Sequence, residues 1–191
     1  MNKVIEPKTA RLQLRQWRDS DREPFAVMSA DPRVMEFFPS TLNREQSDAI
    51  IDFCCARISD RGWGIWAVEE QSSNRFVGMV GLDIPREDLP PSPCVEILWR
   101  LSADYWGCGY ATEAANAALQ VGFEEVELEE IVAFVVPSNV RSRAVMQRLG
   151  MVDTDKNFGH PAVPETSDLH EHCLYTLSRA IWKSGNAGRS S

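Results

Sequence analysis

The stretch from Leu98 to Leu119, LWRLSADYWGCGYATEAANAAL, concentrates the residues whose type and spacing can hold a ligand. It reads as a strand, a tight loop containing Gly107 and Gly109, and then a helix. Glycines there let the backbone come close to a ligand, and a helix start offers unpaired N–H groups at the positive end of a dipole worth roughly half a charge. The chemistry that fits is binding of a phosphate or pyrophosphate. Neither GxxxxGK[ST] nor GxGxxG with its later acidic residue is present, so the two common phosphate motifs do not account for the loop. A glycine-containing turn with no ligand fits the same residues.

The elements around the loop follow from periodicity. Leu12 and Leu14 alternate with polar neighbours in Thr9 to Trp17, a half-buried strand. Asp19 to Phe38 is expected to form two short helices divided at Asp31-Pro32. Ala49, Ile50, Phe53, Cys54 and Ile58 suggest an amphipathic helix over Asn43 to Arg61, stopped by Gly62. Trp63 to Glu70 and Arg75 to Ile84 read as a hairpin closed by Gln71-Ser72-Ser73-Asn74, and a Pro-rich loop follows. Cys94 to Ser102 is a strand, and Gly109 to Glu125 a helix burying Ala114, Ala115, Ala118, Leu119 and Phe123. Ile131 to Val136 is a strand covered on both faces, Asn139 to Gly150 a helix, and Leu169 to Trp182 carries a last strand. Asp155 to His172, with all three histidines, is expected to be one long loop. The resulting fold class is an α/β (α+β) sandwich: a mixed, mostly antiparallel sheet of six to seven strands with helices on both faces. One domain is expected over residues 1–182, with a disordered tail over 183–191.

Composition narrows the partners. Twenty Lys and Arg against 28 Asp and Glu leave a net charge of −8, which argues against binding a nucleic-acid backbone. No apolar run has the length of a membrane span, and no secretory leader is evident. Five cysteines without a CxxC pair suit reduced thiols in the cytoplasm, and neither they nor His160, His170 and His172 have the spacing of a metal site.

Four ordered blocks resemble the GCN5-related N-acetyltransferases, in particular the branch named for bacterial ribosomal-protein N-terminal acetyltransferases. Trp106-Gly107-Cys108-Gly109-Tyr110-Ala111 is similar to the family's [Q/R]xxGx[G/A] loop with Trp at the first position, and continues as YATEA. Val95 to Leu101 is similar to its EIGYxL strand, with Leu98 at the Gly. Pro137 to Met151 is similar to its NxxSxxVxxxLGF block, and Leu174 to Trp182 to its closing strand. The resemblance implies the acyl-CoA acyltransferase fold, acetyl-CoA as co-substrate, no metal, and transfer of an acetyl group to a primary amine on a protein N-terminus or a small molecule. A monomer or homodimer is implied. It also implies that Trp106, Gly107, Cys108, Gly109, Tyr110, Ala111 and Thr112 hold the pyrophosphate. The backbone around Trp99 and Leu101, with Asn139, would hold the pantetheine arm, although Asn139 also reads as a helix N-cap.

Direct transfer needs a proton acceptor, an oxyanion donor and a proton for the departing thiolate. Glu96, on the strand face shared with Leu98 and Arg100, is the candidate base, with a salt bridge to an Arg as its alternative. A backbone N–H near Leu101 is the candidate oxyanion donor. The family's Tyr downstream of the Asn is missing here, because that position falls in Val145-Met146-Gln147. Ser142 and Tyr175 are the candidate proton donors, and Ser142 is also a candidate contact for the CoA sulfur. The missing Tyr leaves a second reading open: a non-catalytic acyl-CoA-binding or interaction domain. Arg100, Arg141, Arg143 and Arg148 supply local positive charge.

Overall fold

In the computed structural model, which describes residues 3–187, seven strands stand in the hydrogen-bonded order β1-β2-β3-β4-β5-β7-β6. Backbone contacts gather the chain into two units. Among the described residues, the first holds 3–82 and 98–118, and the second holds 83–97 and 119–187.

In the first unit, β1 (Leu12–Arg15) buries Leu12 and Leu14 completely and runs antiparallel to β2 (Ile65–Glu70). The hairpin from β2 to β3 (Arg75–Asp83) forms as expected, its turn closed by an Asn74 N–H bond to Glu70 O (2.8 Å) with Asn74 at φ 55°. Asn tolerates that left-handed conformation better than most residues. Helix α1 (Arg22–Ala30) stops at Asp31, but a second helix does not follow. The Asp31 carboxylate accepts the Arg33 backbone N–H at 2.9 Å and the Arg33 guanidinium at 2.6 Å, so the chain goes through turns to Phe38.

Helix α2 (Arg44–Arg61) is capped by Asn43, which accepts from the Gln46 N–H, and ended by Gly62 at φ 84°. Its buried stripe is Ser47, Ile51, Cys54 and Ile58, shifted from the apolar positions read in the sequence; Ala49 is exposed. Close backbone contact explains one glycine. A Cβ on Gly81 would lie 2.1 Å from Gly64 O and 2.5 Å from Ile65 Cα, both backbone atoms of the paired strand region. Gly81→Ala is therefore expected to lower the thermal unfolding midpoint by several degrees, since only a shift of the β2–β3 ladder relieves the overlap. An unchanged midpoint would contradict that packing.

The second unit contains β5 (Glu130–Val135), antiparallel to β7 (Glu171–Ser178), and β6 (Val152–Gly159) antiparallel to β7. Strand β6 corrects the expected loop: only the segment between Gly159 and Glu171 is irregular. Its sequence VDTDKNFG lacks an apolar period because it is an edge strand, with a register shift between Asp153 and Asn157 and Asp155 at φ 54°. Helix α4 (Val140–Arg148) follows β5. Helix α5 (Arg179–Ala187) makes residues 183–187 of the expected disordered tail helical, while 188–191 lie outside the described residues. Among the described residues no helix is long and apolar enough to cross a membrane.

Strand β4 (Glu96–Leu101) passes from the second unit to the first. Helix α3 (Tyr110–Gln120) follows it and buries Ala114, Ala115, Ala118 and Leu119 completely, as its sequence indicates. A π-helical turn over Val121–Glu125, with the Val126 N–H on Val121 O (3.0 Å), ends this segment.

Candidate active site

The Trp106 to Thr112 loop belongs to the first unit. Gly107 and Gly109 take φ values of 76° and 81°, which an L side chain enters only with strain. A Cβ on Gly107 would meet nothing within 4 Å, and one on Gly109 only Arg11 Nη2 at 3.5 Å. The glycines therefore leave open space above the backbone. The first intrahelical bond of α3 runs from the Glu113 N–H to Gly109 O (3.0 Å), so the amides of Tyr110, Ala111 and Thr112 precede any such bond. Open space over amides that point out of a helix start fits a pyrophosphate, and so fits the diphosphate end of acetyl-CoA.

Two side chains hold the loop, and neither role was readable in the sequence. The Trp106 indole N–H donates to Leu101 O at 3.0 Å, tying the loop entrance to the end of β4. Arg11 donates from Nη1 to Cys108 O (3.0 Å), pairs with Glu113 at 2.6 Å, and lies 4.5 Å from the centre of the Tyr110 ring. Burial would raise the Glu113 carboxyl, but hydrogen bonds from Thr9 and Arg11 outweigh it and hold Glu113 below its ordinary range. Tyr110 donates its hydroxyl to the Glu70 carboxylate. Arg11 is partly exposed, so this network positions the loop more than it stabilises the fold.

Glu96, Asn139, Ser142 and Tyr175 lie in the second unit. Glu96 is paired with Val132, the single register pair between β4 and the parallel β5. Though the residue keeps part of its surface, burial of its carboxyl, with the fields of Asp83 and Glu87, pushes it up to about 8. The alternative reading of Glu96 in a salt bridge with an Arg finds no support, as the groups acting on it are carboxylates. Asn139 is the N-cap of α4, its Oδ1 accepting the Ser142 N–H at 3.1 Å; the Asn139 amide N–H₂ is left for another partner.

Tyr175 is 1% exposed, and its hydroxyl oxygen accepts from Arg143 Nε at 3.1 Å. Burial raises the phenol, with Asp153 adding to the effect against Arg143, so Tyr175 is a neutral core residue tied to α4. His160 and His172 pack against each other and against Phe134, with ring centres 5.0 to 6.0 Å apart. Burial lowers both imidazoles.

Comparison with known proteins gives the family and the fold. The acetyltransferase (GNAT) domain family matches residues 11–152. FsC-acetyl coenzyme A-N(2)-transacetylase of Aspergillus fumigatus is 28% identical over 183 residues, covering 91% of this chain and 76% of that protein. The GNAT-family acetyltransferase of Bacillus anthracis superposes with a TM-score of 0.76 at 24% identity, over 92% of this chain and 99% of that one. Mycobacterium smegmatis RimJ, solved in complex with CoA-disulfide, gives 0.69 at 19% identity over 92% and 89%. These two structures bear on the fold, a seven-stranded mixed sheet with helices; the family match bears on the chemistry. The chain belongs to the GNAT acetyltransferases, a family whose reaction is acetyl transfer from acetyl-CoA.

Proposed function

We propose that this protein is an acetyl-CoA-dependent N-acetyltransferase acting on a primary amine, related to the ribosomal-protein acetyltransferase branch, and that residues 1–182 form one catalytic domain. The observation that carries the reading is the open, positive-φ glycine loop at the start of α3. The YATEA extension and the likeness to RimJ support the branch. The names of two similar proteins, a transacetylase using acetyl coenzyme A and a RimJ bound to CoA-disulfide, support the co-substrate. Five free cysteines support a reducing, cytoplasmic place of action.

Acetyl-CoA supplies the acetyl group as a thioester. The amides from Gly107 to Thr112 bind its pyrophosphate, with Arg11 and Trp106 holding their backbone in place. The family resemblance assigns the pantetheine arm to the backbone around Trp99 and Leu101 and to the Asn139 amide, and the oxyanion to a backbone N–H near Leu101. Glu96 takes the proton from the amine, directly or through water; a carboxyl at about 8 is basic enough to do so near neutral pH. Ser142 is positioned by the Asn139 cap, and its hydroxyl hydrogen-bonds the sulfur and passes a proton to the departing thiolate, so that CoA leaves as the thiol and the hydroxyl is reprotonated from solvent. Tyr175 is assigned no proton transfer, because its buried hydroxyl accepts from Arg143 and its own proton is held by the Asp153 carboxylate.

The test is release of CoA by the purified protein across a panel of amines. Turnover on at least one is expected, and tight acetyl-CoA binding with no turnover on any amine would overturn the proposal in favour of a binding domain. Gly109→Val tests the loop. Its strain costs roughly 1–2 kcal/mol, leaving the fold intact, while its side chain enters the open space over the amides. Acetyl-CoA affinity should fall about 10- to 100-fold for each charge-assisted bond lost. Unchanged affinity would remove the pyrophosphate from this loop.

A further inference from the structure

Arg143, on α4 in the second unit, joins three elements around the turn that carries Asn139 and Ser142. Its Nε donates to the Tyr175 hydroxyl on β7 at 3.1 Å, its Nη1 reaches Pro137 O just past β5 at 3.4 Å, and its Nη2 pairs with Asp153 on β6 at 3.5 Å. Asp153 holds the Tyr175 proton, which closes the group into a ring. The Arg143 backbone N–H also bonds Asn139 O at 3.1 Å. One residue thus holds the turn twice, by its backbone at Asn139 and by its side chain at Pro137.

The ion pair itself adds little to stability, because the Arg143 and Asp153 side chains are 36% and 32% exposed. What matters is where the contacts converge. Asn139 is the centre of an inverse γ-turn, with φ −79° and ψ 71°, closed by the Val140 N–H on Ser138 O at 2.9 Å. That three-residue turn has a single bond of its own, so the direction of the Asn139 side chain, and of Ser142 which it caps, depends on how the turn is fastened to the sheet. Tyr175 is the fixed point. It is 1% exposed and stands in register with Ala133 on β5 and Asp153 on β6.

We propose that Arg143 is a positioning residue for acetyl-CoA: by fastening Pro137 to the Tyr175 hydroxyl, it aims the Asn139 amide at the pantetheine arm and the Ser142 hydroxyl at the thioester sulfur. This rests on the acetyl-CoA reading above. Arg143 acts through those two residues and not on a phosphate, since its donors are engaged by Tyr175, Pro137 and Asp153.

The experiment compares two probes by calorimetry: acetyl-CoA, and 3′-phospho-ADP, which is CoA without the pantetheine arm. Arg143→Met should weaken acetyl-CoA binding about 10-fold, the worth of one hydrogen bond to the arm, and leave 3′-phospho-ADP unchanged. On any accepted amine, kcat should fall about 10- to 100-fold, as for a misplacement approaching 1 Å. Tyr175→Phe, which removes the anchor, should show the same selective loss, and the double variant should be no worse than Arg143→Met alone. Equal losses on both probes overturn the proposal, because they would report a general weakening of the fold or a contact with phosphate. Unchanged acetyl-CoA affinity overturns it, as do additive losses in the double variant. Tyr175→Phe that lowers kcat with acetyl-CoA affinity intact would make Tyr175 a direct proton donor and overturn it too. Should Arg143→Met fail to fold, Arg143→Lys reads the same two affinities, since an ammonium keeps the charge but cannot span the three partners. If no amine is turned over, the two affinities decide. Wild-type protein that binds neither probe overturns the acetyl-CoA reading and this proposal with it, whereas wild-type binding of both with unselective variants overturns only the role of Arg143.

Discussion

Glu96→Gln is expected to lower kcat/KM for any accepted amine by about 10²- to 10⁴-fold, the usual contribution of a positioned general base, with little change in acetyl-CoA affinity. The wild-type profile should rise with pH toward a plateau above about 8, because the carboxyl is protonated, and useless as a base, below that value. Deprotonation of the amine adds its own rise, which the variant keeps. The part lost on substitution is the part that belongs to Glu96. Unchanged kinetics would move proton removal to another group or to solvent.

The same carboxyl ties stability to pH. Its folded pKa lies above the ordinary 4.5, so its contribution is fully present below 4.5 and is lost as pH rises toward about 8. At 1.36 kcal/mol per unit, the shift corresponds to roughly 5 kcal/mol as an upper bound. Glu96→Gln, which stays neutral, should be more stable than the wild type above pH 8 and nearly equal to it below pH 5. Denaturant unfolding at the two pH values checks the sign, and a variant less stable at high pH would contradict burial of that carboxyl.

The largest effect on the fold itself is expected at Arg15. It is 3% exposed and donates to both oxygens of Asp21 at 2.7 and 2.9 Å, and to Glu69 at 2.9 Å. Asp21 and Glu69 are themselves 2% and 8% exposed. Arg15→Ala leaves the Asp21 carboxylate buried without its cation, while Glu69 keeps only the more exposed Arg18 at 3.0 Å. Breaking such a buried cluster from one side costs about 3–5 kcal/mol, or roughly 6 to 20 °C in unfolding midpoint for a chain of this length. A loss below about 1 kcal/mol would mean that water reaches the two carboxylates. Replacing the whole cluster by apolar residues of similar volume is a different experiment, expected to be close to neutral.

How far the sequence could be read follows from what each feature depends on. The β2–β3 hairpin, the α2 caps at Asn43 and Gly62 and the apolar stripe of α3 are set within a few residues of chain, so periodicity and capping rules reach them. The glycine loop was legible for the same reason. Strand β6 was not, because an edge strand with a bulge has no covered face to impose a period of two. The shifted stripe of α2 escaped notice because buried Ser47 is polar, and the second N-terminal helix failed because the Asp31 side chain competes for the Arg33 amide.

Charge, most of the elements and the glycine loop were thus legible in the sequence alone, since they depend on composition and on neighbours a few positions away. The tertiary structure decided which charged groups are paired. Arg11 lies about a hundred positions from Cys108 and Glu113 yet braces their loop, and Asp83 and Glu87 raise Glu96 from a separate segment. Arg100 reads in the chain as one of four arginines supplying local positive charge; only folding shields its Nε and Nη1 from solvent with no hydrogen-bond partner among the described residues. The energy of a charge depends on the dielectric and the counter-charges around it, and those exist only once the chain has folded.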